Sequence, residues 1–146
     1  MVKIRLMKEE DVPEVLDISA LFYKGTTYPF TYSPKDWEVT VRKFLASSIV
    51  AVEDGVVVGA LVLAIVPVLW NHTEKSATEL CFYIREPYRN ADIGKRMIEK
   101  AEMISQIYGA TSVTMASMAS QRDAVFNRYY SRIGYKKTEI AYMKEI

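Results

Sequence analysis

Apolar residues alternate with polar ones in some stretches and recur every three or four residues in others, so the chain is expected to hold both strands and helices. The period-two and β-branched stretches predict six strands, and the helical spacing predicts four helices. The predicted order is β-α-α-β-β-β-α-β-α-β, which favours an α/β (α+β) fold with a mixed central sheet flanked by helices on both faces. The strands are expected at about 2–7, 49–53, 56–66, 77–84, 111–117 and 135–146.

Turn and cap signals mark where several elements begin and end. Asp54-Gly55 separates two β-branched runs and predicts a two-residue hairpin turn. Ser33-Pro34 predicts the start of the second helix, because proline is favoured at the first helical position. Residues 70–76 are expected to form a loop. Capping boxes are expected at two other helix starts, formed by Asp11 with Glu14 and by Ser120 with Asp123.

Composition excludes several classes of protein. A chain of 146 residues predicts a single domain over 1–146, and a net charge of +1 argues against a general nucleic-acid binder. The longest apolar run, 56–70, is shorter than the ~20 residues of a membrane helix, and no leader is seen, so no membrane association is expected. One cysteine, Cys81, and one histidine, His72, favour a reducing, cytoplasmic compartment and no metal site.

The stretch YIREPYRNADIGKRMIEKAE, residues 83–102, passes from a strand through a polar turn into an amphipathic helix. A helix start leaves backbone N–H groups unpaired and carries a partial positive charge, which suits an anion. Arg89, Lys95 and Arg96 add positive charge to this start. The turn therefore predicts an anion site, and on the spacing alone a solvated basic surface turn is the alternative.

Three segments give the turn a more specific interpretation. Arg89, Asp92, Ile93 and Gly94 stand where a motif Arg/Gln-x-x-Gly-x-Gly/Ala opens the helix after the fourth strand of a known family. IRLMKEEDV near the start of the chain and NRYYSRIGY near its end match that family's first and late segments in the same order. The chain therefore resembles the GNAT superfamily of acyl-CoA-dependent N-acyltransferases over nearly its full length.

The resemblance implies acetyl-CoA as co-substrate. It implies that the pantetheine arm takes main-chain bonds near Phe82 and Ile84, and that the turn binds the pyrophosphate. Asp92 replaces the first glycine of the motif, and its carboxylate is expected to point outward; a cap formed by Asp92 itself is the alternative. The cofactor-binding residues expected in the turn are Arg89, Asn90, Ala91, Asp92, Ile93, Gly94 and Lys95.

The implied activity is transfer of an acetyl group to a primary amine by direct attack through a tetrahedral intermediate. Such a reaction needs a base for the amine, which the resemblance assigns to Glu79, with an ion pair or a solvated strand end as the alternative. An acid assists the departing thiolate, and the register favours Tyr130 over Tyr129, with a core role for Tyr130 as the alternative. Cys81 is expected on the strand face of Glu79 as a small buried residue.

An aromatic-rich segment, with Tyr28 and Phe30, and a further aromatic, Trp70, are the expected contacts of the acceptor, with core or lid packing as the alternative. The acceptor is a small-molecule or peptide amine, and a homodimer through the closing strand or a sheet edge is compatible with the sequence. A GNAT-fold module that binds CoA or a protein without catalysis is the alternative function. A nucleotide-binding domain ranks last, since both glycine-rich phosphate motifs are missing from the sequence.

Overall fold

The structure, a computed structural model, describes residues 1–118 and 123–146. Its internal contacts group the chain into two compact units, one formed by residues 1–25 and 32–115 and the other by residues 26–31 and 116–146. The single domain expected over 1–146 stays a prediction.

The first unit is a five-stranded sheet with helices on both faces, as predicted. The sheet order is β1-β2-β3-β4-β5, with antiparallel pairing from β1 to β4 and parallel pairing of β4 with β5. The strands are β1 (Lys3–Leu6), β2 (Ile49–Glu53), β3 (Val56–Val68), β4 (Asn71–Ile84) and β5 (Ala110–Thr114). The helices are α1 (Val12–Lys24), α2 (Pro34–Lys43) and α3 (Ala91–Ile107), and the second unit contributes α4 (Asp123–Arg132).

Each face of the sheet buries its own apolar cluster. The first cluster joins Leu61 and Leu63 of β3 to Met97 of α3, and the second joins Val62 of β3 to Val15 of α1. Neighbouring residues of β3 serve opposite clusters because side chains alternate across a strand. Residues 57–64 of the apolar run in β3 are therefore buried on both faces of the sheet.

The predicted turn at Asp54-Gly55 and the predicted start of α2 at Ser33-Pro34 are confirmed. Asp54 and Gly55 both have positive φ, 49° and 79°, which is the type I′ geometry that a two-residue hairpin prefers. The Ser33 hydroxyl accepts a hydrogen bond from the Asp36 N–H at 3.3 Å and caps α2. Both signals act over two to four residues, so the sequence alone was sufficient to find them.

Two strand predictions are wrong. The expected loop over 70–76 lies almost entirely in β4, because β3 continues to pair beyond Val66, with Pro67 opposite Lys75 and Val68 opposite Asn71. Residues 135–146 form no strand in the described part of the chain, and Tyr142 there is 93% exposed. Alternating side chains favour a strand, but the strand forms only where a neighbour supplies main-chain partners.

The capping box expected at Asp11 is also wrong. The Asp11 carboxylate accepts from the Arg5 guanidinium at 2.6 and 2.9 Å and from the Lys8 N–H at 2.8 Å, within a short turn that precedes α1. Glu14 instead accepts from the Val57 N–H at 3.0 Å. Ser120, of the second expected box, lies outside the described residues.

The Asp11–Arg5 pair makes a stability prediction. Burial alone raises the pKa of the Asp11 carboxyl, but the donors from Arg5 and Lys8 together hold that pKa below its usual value. Because the pKa is lower in the folded state, the stabilisation is present above about pH 4 and is lost as the pH falls through the folded-state pKa. We expect Asp11→Asn to lower the free energy of unfolding by about 1–3 kcal/mol at pH 7, and the deficit to shrink in acid. Urea unfolding of both proteins between pH 3 and 7 measures this, and a deficit that stays constant with pH would contradict it.

No described helix combines the length and the apolar character needed to cross a bilayer. Within the same residues, no group of three or more His, Cys, Asp and Glu side chains could hold a metal ion.

Candidate active site

The central feature of the site is an edge of β4 that is left open. β4 pairs with β5 only as far as Thr78 opposite Thr114, whereas β4 itself continues to Ile84. From Glu79 to Ile84, the side of β4 that faces away from β3 has no strand beside it in the described residues. This side, called the open edge below, is separated from α3 by the six residues 85–90.

Phe82 and Ile84 present their main-chain groups to the open edge. The Arg85 N–H donates to the Val58 carbonyl at 2.8 Å, so Arg85 and Val58 form a hydrogen-bonded antiparallel pair. Such pairs alternate with pairs whose N–H and C=O groups point away from each other. Ile84 and, two residues earlier, Phe82 therefore turn these groups outward, as main-chain binding to an extended ligand requires.

A β-bulge at Leu80 decides which face Glu79 occupies. Cys81 lies opposite Val62, but Glu79 lies opposite Leu63, so Leu80 is an extra residue in β4. Since Val62 belongs to the second cluster and Leu63 to the first, Glu79 and Cys81 lie on opposite faces. The prediction that they share a face is wrong, because strict alternation fails at a bulge. Glu79 is nevertheless buried, with 8% of its surface exposed.

Cys81 is a structural residue, as predicted. Its side chain is 1% exposed and packs in the second cluster, with Sγ 3.8 Å from the Ser19 hydroxyl oxygen. Burial raises the pKa of Cys81 to about 12, and the charge of Glu79 adds to the rise. A thiol held neutral in this way is a poor nucleophile.

Asn90, and not Asp92, caps α3. The Asn90 side chain accepts from the Ile93 N–H at 2.9 Å, while the Gly94 N–H bonds the Asn90 carbonyl at 3.4 Å. The N–H groups of Ala91 and Asp92 lie in the first turn, where no helical carbonyl can accept from them, so they are available to an anion. The alternative in which Asp92 caps the helix is therefore wrong. The sequence signal was present, since asparagine directly before a helix is a preferred cap.

The carboxylate of Asp92 points outward, as predicted. It lies 3.3 Å from the Arg96 guanidinium, and 72% of the Asp92 side chain is exposed. Lys95 similarly pairs with Glu99 at 3.7 Å. These are exposed pairs one helical turn apart, whose contribution to stability is small.

Arg89 is exposed, and its side chain contacts the end of β4. Its Nε donates to the Ile84 carbonyl at 2.8 Å, and its guanidinium carbon lies 4.7 Å from the centre of the Tyr83 ring. Because Arg89 is exposed, the alternative of a solvated basic surface turn stays open. Tyr83 was missed from the sequence, because only its position beside the open edge brings it to Arg89.

Tyr130 lies in the second unit, within a group of aromatic rings. Its hydroxyl donates to the Ala116 carbonyl at 3.3 Å, and ring centres of Phe126, Tyr129 and Tyr135 lie 6.2, 5.8 and 5.7 Å from its own. Tyr129 is half-buried like Tyr130. The choice of Tyr130 as the acid stays a prediction.

The three aromatics expected to bind the acceptor are all accessible. Tyr28 and Phe30 of the second unit have ring centres 6.1 Å apart and are 43% and 62% exposed. Trp70 of the first unit lies in the turn between β3 and β4 and is 95% exposed. The core alternative is therefore wrong for these three. Tyr32 is a further candidate, because its buried hydroxyl has no hydrogen-bond partner among the described residues.

Known structures share this architecture at low identity. An aminoglycoside acetyltransferase from an uncultured soil metagenomic sample is 16% identical, with a TM-score of 0.75 over 100% of this chain and 99% of that one. A predicted acetyltransferase with acetyl-CoA from Clostridium acetobutylicum is 15% identical, with a TM-score of 0.77 over 99% and 96%. A ribosomal-protein-alanine N-acetyltransferase from Brucella melitensis biovar Abortus 2308 is 16% identical, with a TM-score of 0.76 over 100% and 98%. At these identities the likeness establishes the fold, and no curated protein matches the chain.

The family model of the acetyltransferase (GNAT) family matches residues 13–135. That range contains the open edge of β4, the capped start of α3 and Tyr130, and it spans most of the chain. The expected resemblance is thereby confirmed: this chain belongs to the GNAT family and is an acyl-CoA-dependent N-acyltransferase.

Proposed function

We propose that this protein transfers an acetyl group from acetyl-CoA to a primary amine of a small molecule or a peptide. The observation that carries the proposal is the open edge of β4, which leads directly to the uncapped amides of α3. An extended amide-containing arm that ends in a diphosphate has the chemistry to match both features.

The co-substrate would bind the first unit through two of its parts, the pantetheine arm and the pyrophosphate. The outward main-chain groups of Phe82 and Ile84 would bond the amides of the pantetheine arm, as a neighbouring strand would. The N–H groups of Ala91 and Asp92 would bond the pyrophosphate, with positive charge from Arg89 and Lys95. Asn90, Ile93 and Gly94 would shape the helix start. The Asn90 side chain caps the Ile93 N–H and leaves the N–H groups of Ala91 and Asp92 for the ligand.

The reaction then needs only proton transfers from side chains. A neutral amine attacks the thioester carbonyl carbon, the carbonyl becomes a tetrahedral oxyanion, and collapse breaks the C–S bond to leave the amide and the CoA thiolate. Glu79 would accept the proton that the amine loses, directly or through water, and Tyr130 would donate a proton to the thiolate. No bond to the enzyme forms, which agrees with the buried, neutral thiol of Cys81.

The acceptor would contact Tyr28, Phe30 and Trp70. Exposed aromatic faces suit a cationic amine by cation–π attraction, or a sugar or peptide by stacking. The similar structures include enzymes described as acting on aminoglycosides and on a ribosomal-protein alanine, so both a small molecule and a peptide are proposed. A cytoplasmic location remains part of the proposal.

Ligand-induced stabilisation tests the proposal. Acetyl-CoA at one hundred times its dissociation constant should add about 2.7 kcal/mol to the free energy of unfolding, whereas ATP and NAD should not. Screening primary amines for release of the CoA thiol then tests acetyl transfer and identifies the acceptor. Stabilisation by a nucleotide without stabilisation by CoA would contradict the proposal.

Asp92 should weaken CoA binding, because its charge lies beside the amides that face the pyrophosphate. We expect Asp92→Gly to lower the dissociation constant for acetyl-CoA by about two- to fivefold at low salt, and the gain to fade above about 0.5 M salt. Asp92→Asn is the matched control, since it removes the charge without adding backbone freedom. Calorimetric titration at two salt concentrations measures both. Unchanged or weaker binding by Asp92→Asn would show that the charge does not oppose the anion.

A further inference from the structure

Arg89 lies against the end of the open edge of β4. The Ile84 side chain packs against the first cluster and the Tyr83 side chain against the second, so these two residues face opposite sides of the sheet. Arg89 contacts both, since its Nε bonds the Ile84 carbonyl and its guanidinium covers the Tyr83 ring. Because the Ile84 carbonyl lies in the plane of the sheet, the Arg89 side chain covers the end of the open edge on the Tyr83 face.

The carbonyl that Arg89 occupies is one of few on this edge. Main-chain groups point alternately toward β3 and away from it along a strand. At the end of β4 nearest α3, the carbonyls of Phe82 and Ile84 therefore face outward. Arg89 donates to the Ile84 carbonyl, which is the nearer of the two to α3 in the chain, at 2.8 Å. In this state, an arm lying along β4 finds that acceptor already bonded.

Arg89 also differs from the other cations of the turn. Lys95 pairs with Glu99, and Arg96 pairs with Asp92. Among the residues that the structure describes, no carboxylate forms a salt bridge with Arg89, whose contacts are a neutral carbonyl and a neutral ring. A diphosphate would be a stronger partner than either, because hydrogen bonds between ionised groups are stronger than those to neutral ones.

We infer that Arg89 is a gate on the open edge of β4. It competes with the pantetheine arm for the Ile84 carbonyl, and it releases that carbonyl when a diphosphate at the start of α3 attracts the guanidinium. This inference rests on the proposed use of acetyl-CoA. Whole CoA carries the diphosphate and opens the gate, whereas pantetheine lacks it and must compete with Arg89. The gate therefore favours the complete co-substrate over its phosphate-free arm.

Arg89→Met tests the gate, because it removes the donor and the charge together from an exposed position. Its dissociation constants for CoA and for pantetheine, measured by calorimetry, should move in opposite directions. Pantetheine should bind about fivefold more tightly, the equivalent of one freed hydrogen bond, and CoA should bind more weakly. Lys95→Met is the matched control: it removes a charge from the same helix start and should weaken CoA without tightening pantetheine.

Tyr83→Leu tests the other contact while keeping the charge of Arg89. Without the ring, Arg89 is held less firmly, so both CoA and pantetheine should bind about two- to fivefold more tightly. Tyr83→Phe keeps the ring and should behave like the unmodified protein. If Tyr83→Leu fails to fold, Arg89→Met decides alone.

The outcomes separate the gate from the proposed function. If the unmodified protein binds CoA, but pantetheine affinity is equal or lower in Arg89→Met, the gate is overturned and the proposed function stands. The gate is likewise overturned if pantetheine binding is undetectable in both proteins. If the unmodified protein does not bind CoA at all, the proposed function and the gate fall together.

Discussion

Glu79→Gln should lower kcat for amine acetylation by about 100-fold or more, with little change in the dissociation constant for CoA. Glutamine keeps the size and polarity of the side chain but cannot accept the proton of the attacking amine. The burial of Glu79 beside the bulge makes a carboxylate costly at this position unless it is paired or reactive. Steady-state rates of CoA thiol release, together with CoA titrations, measure the effect.

Glu74→Gln is the matched control for this prediction. Glu74 lies in the same strand but is exposed, where its carboxylate accepts from the Asn71 side chain. Its substitution should leave kcat within about twofold, because glutamine can still accept from Asn71 and an exposed substitution of this kind changes little. A normal rate in Glu79→Gln would rule out the base role, and a loss of folding without a kinetic defect in the folded fraction would assign Glu79 to an ion pair instead.

Tyr130→Phe should lower kcat by about 10- to 100-fold and leave KM for the amine largely unchanged. The expected loss is smaller than that for Glu79 because a thiolate of pKa ~8.5 departs partly without help. Phenylalanine preserves the ring packing with Phe126 and Tyr135 and deletes the hydroxyl that bonds the Ala116 carbonyl. The melting temperature should therefore change little.

Tyr129→Phe separates the two neighbouring tyrosines. Both are half-buried and their rings lie 5.8 Å apart, so a general effect on packing would appear in both variants. We expect Tyr129→Phe to keep kcat within about twofold. A large loss in Tyr129→Phe with a normal Tyr130→Phe would transfer the acid role to Tyr129.

Local signals in the sequence were sufficient for much of the fold. The Asp54-Gly55 turn, the Ser33 cap and the amphipathic stripe of α3 each depend on residues a few positions apart, so their physical causes lie within short stretches of chain. The expectation of an anion site at the start of α3 rests on a local signal of the same kind, because any helix start presents free amides. The outward direction of Asp92 was also predictable, since a residue in the first turn has Arg96 one turn away.

Contacts between distant segments decided the rest. The bulge at Leu80 exists only in the register of β4 against β3, and it reversed the expected face relation of Glu79 and Cys81. The open edge depends on where β5 stops pairing, and the missing closing strand depends on whether residues 135–146 find a main-chain neighbour. Arg89 meets Tyr83 because the turn folds back on the end of β4. Side-chain periodicity carries no information about such pairings, since they depend on which backbone comes alongside.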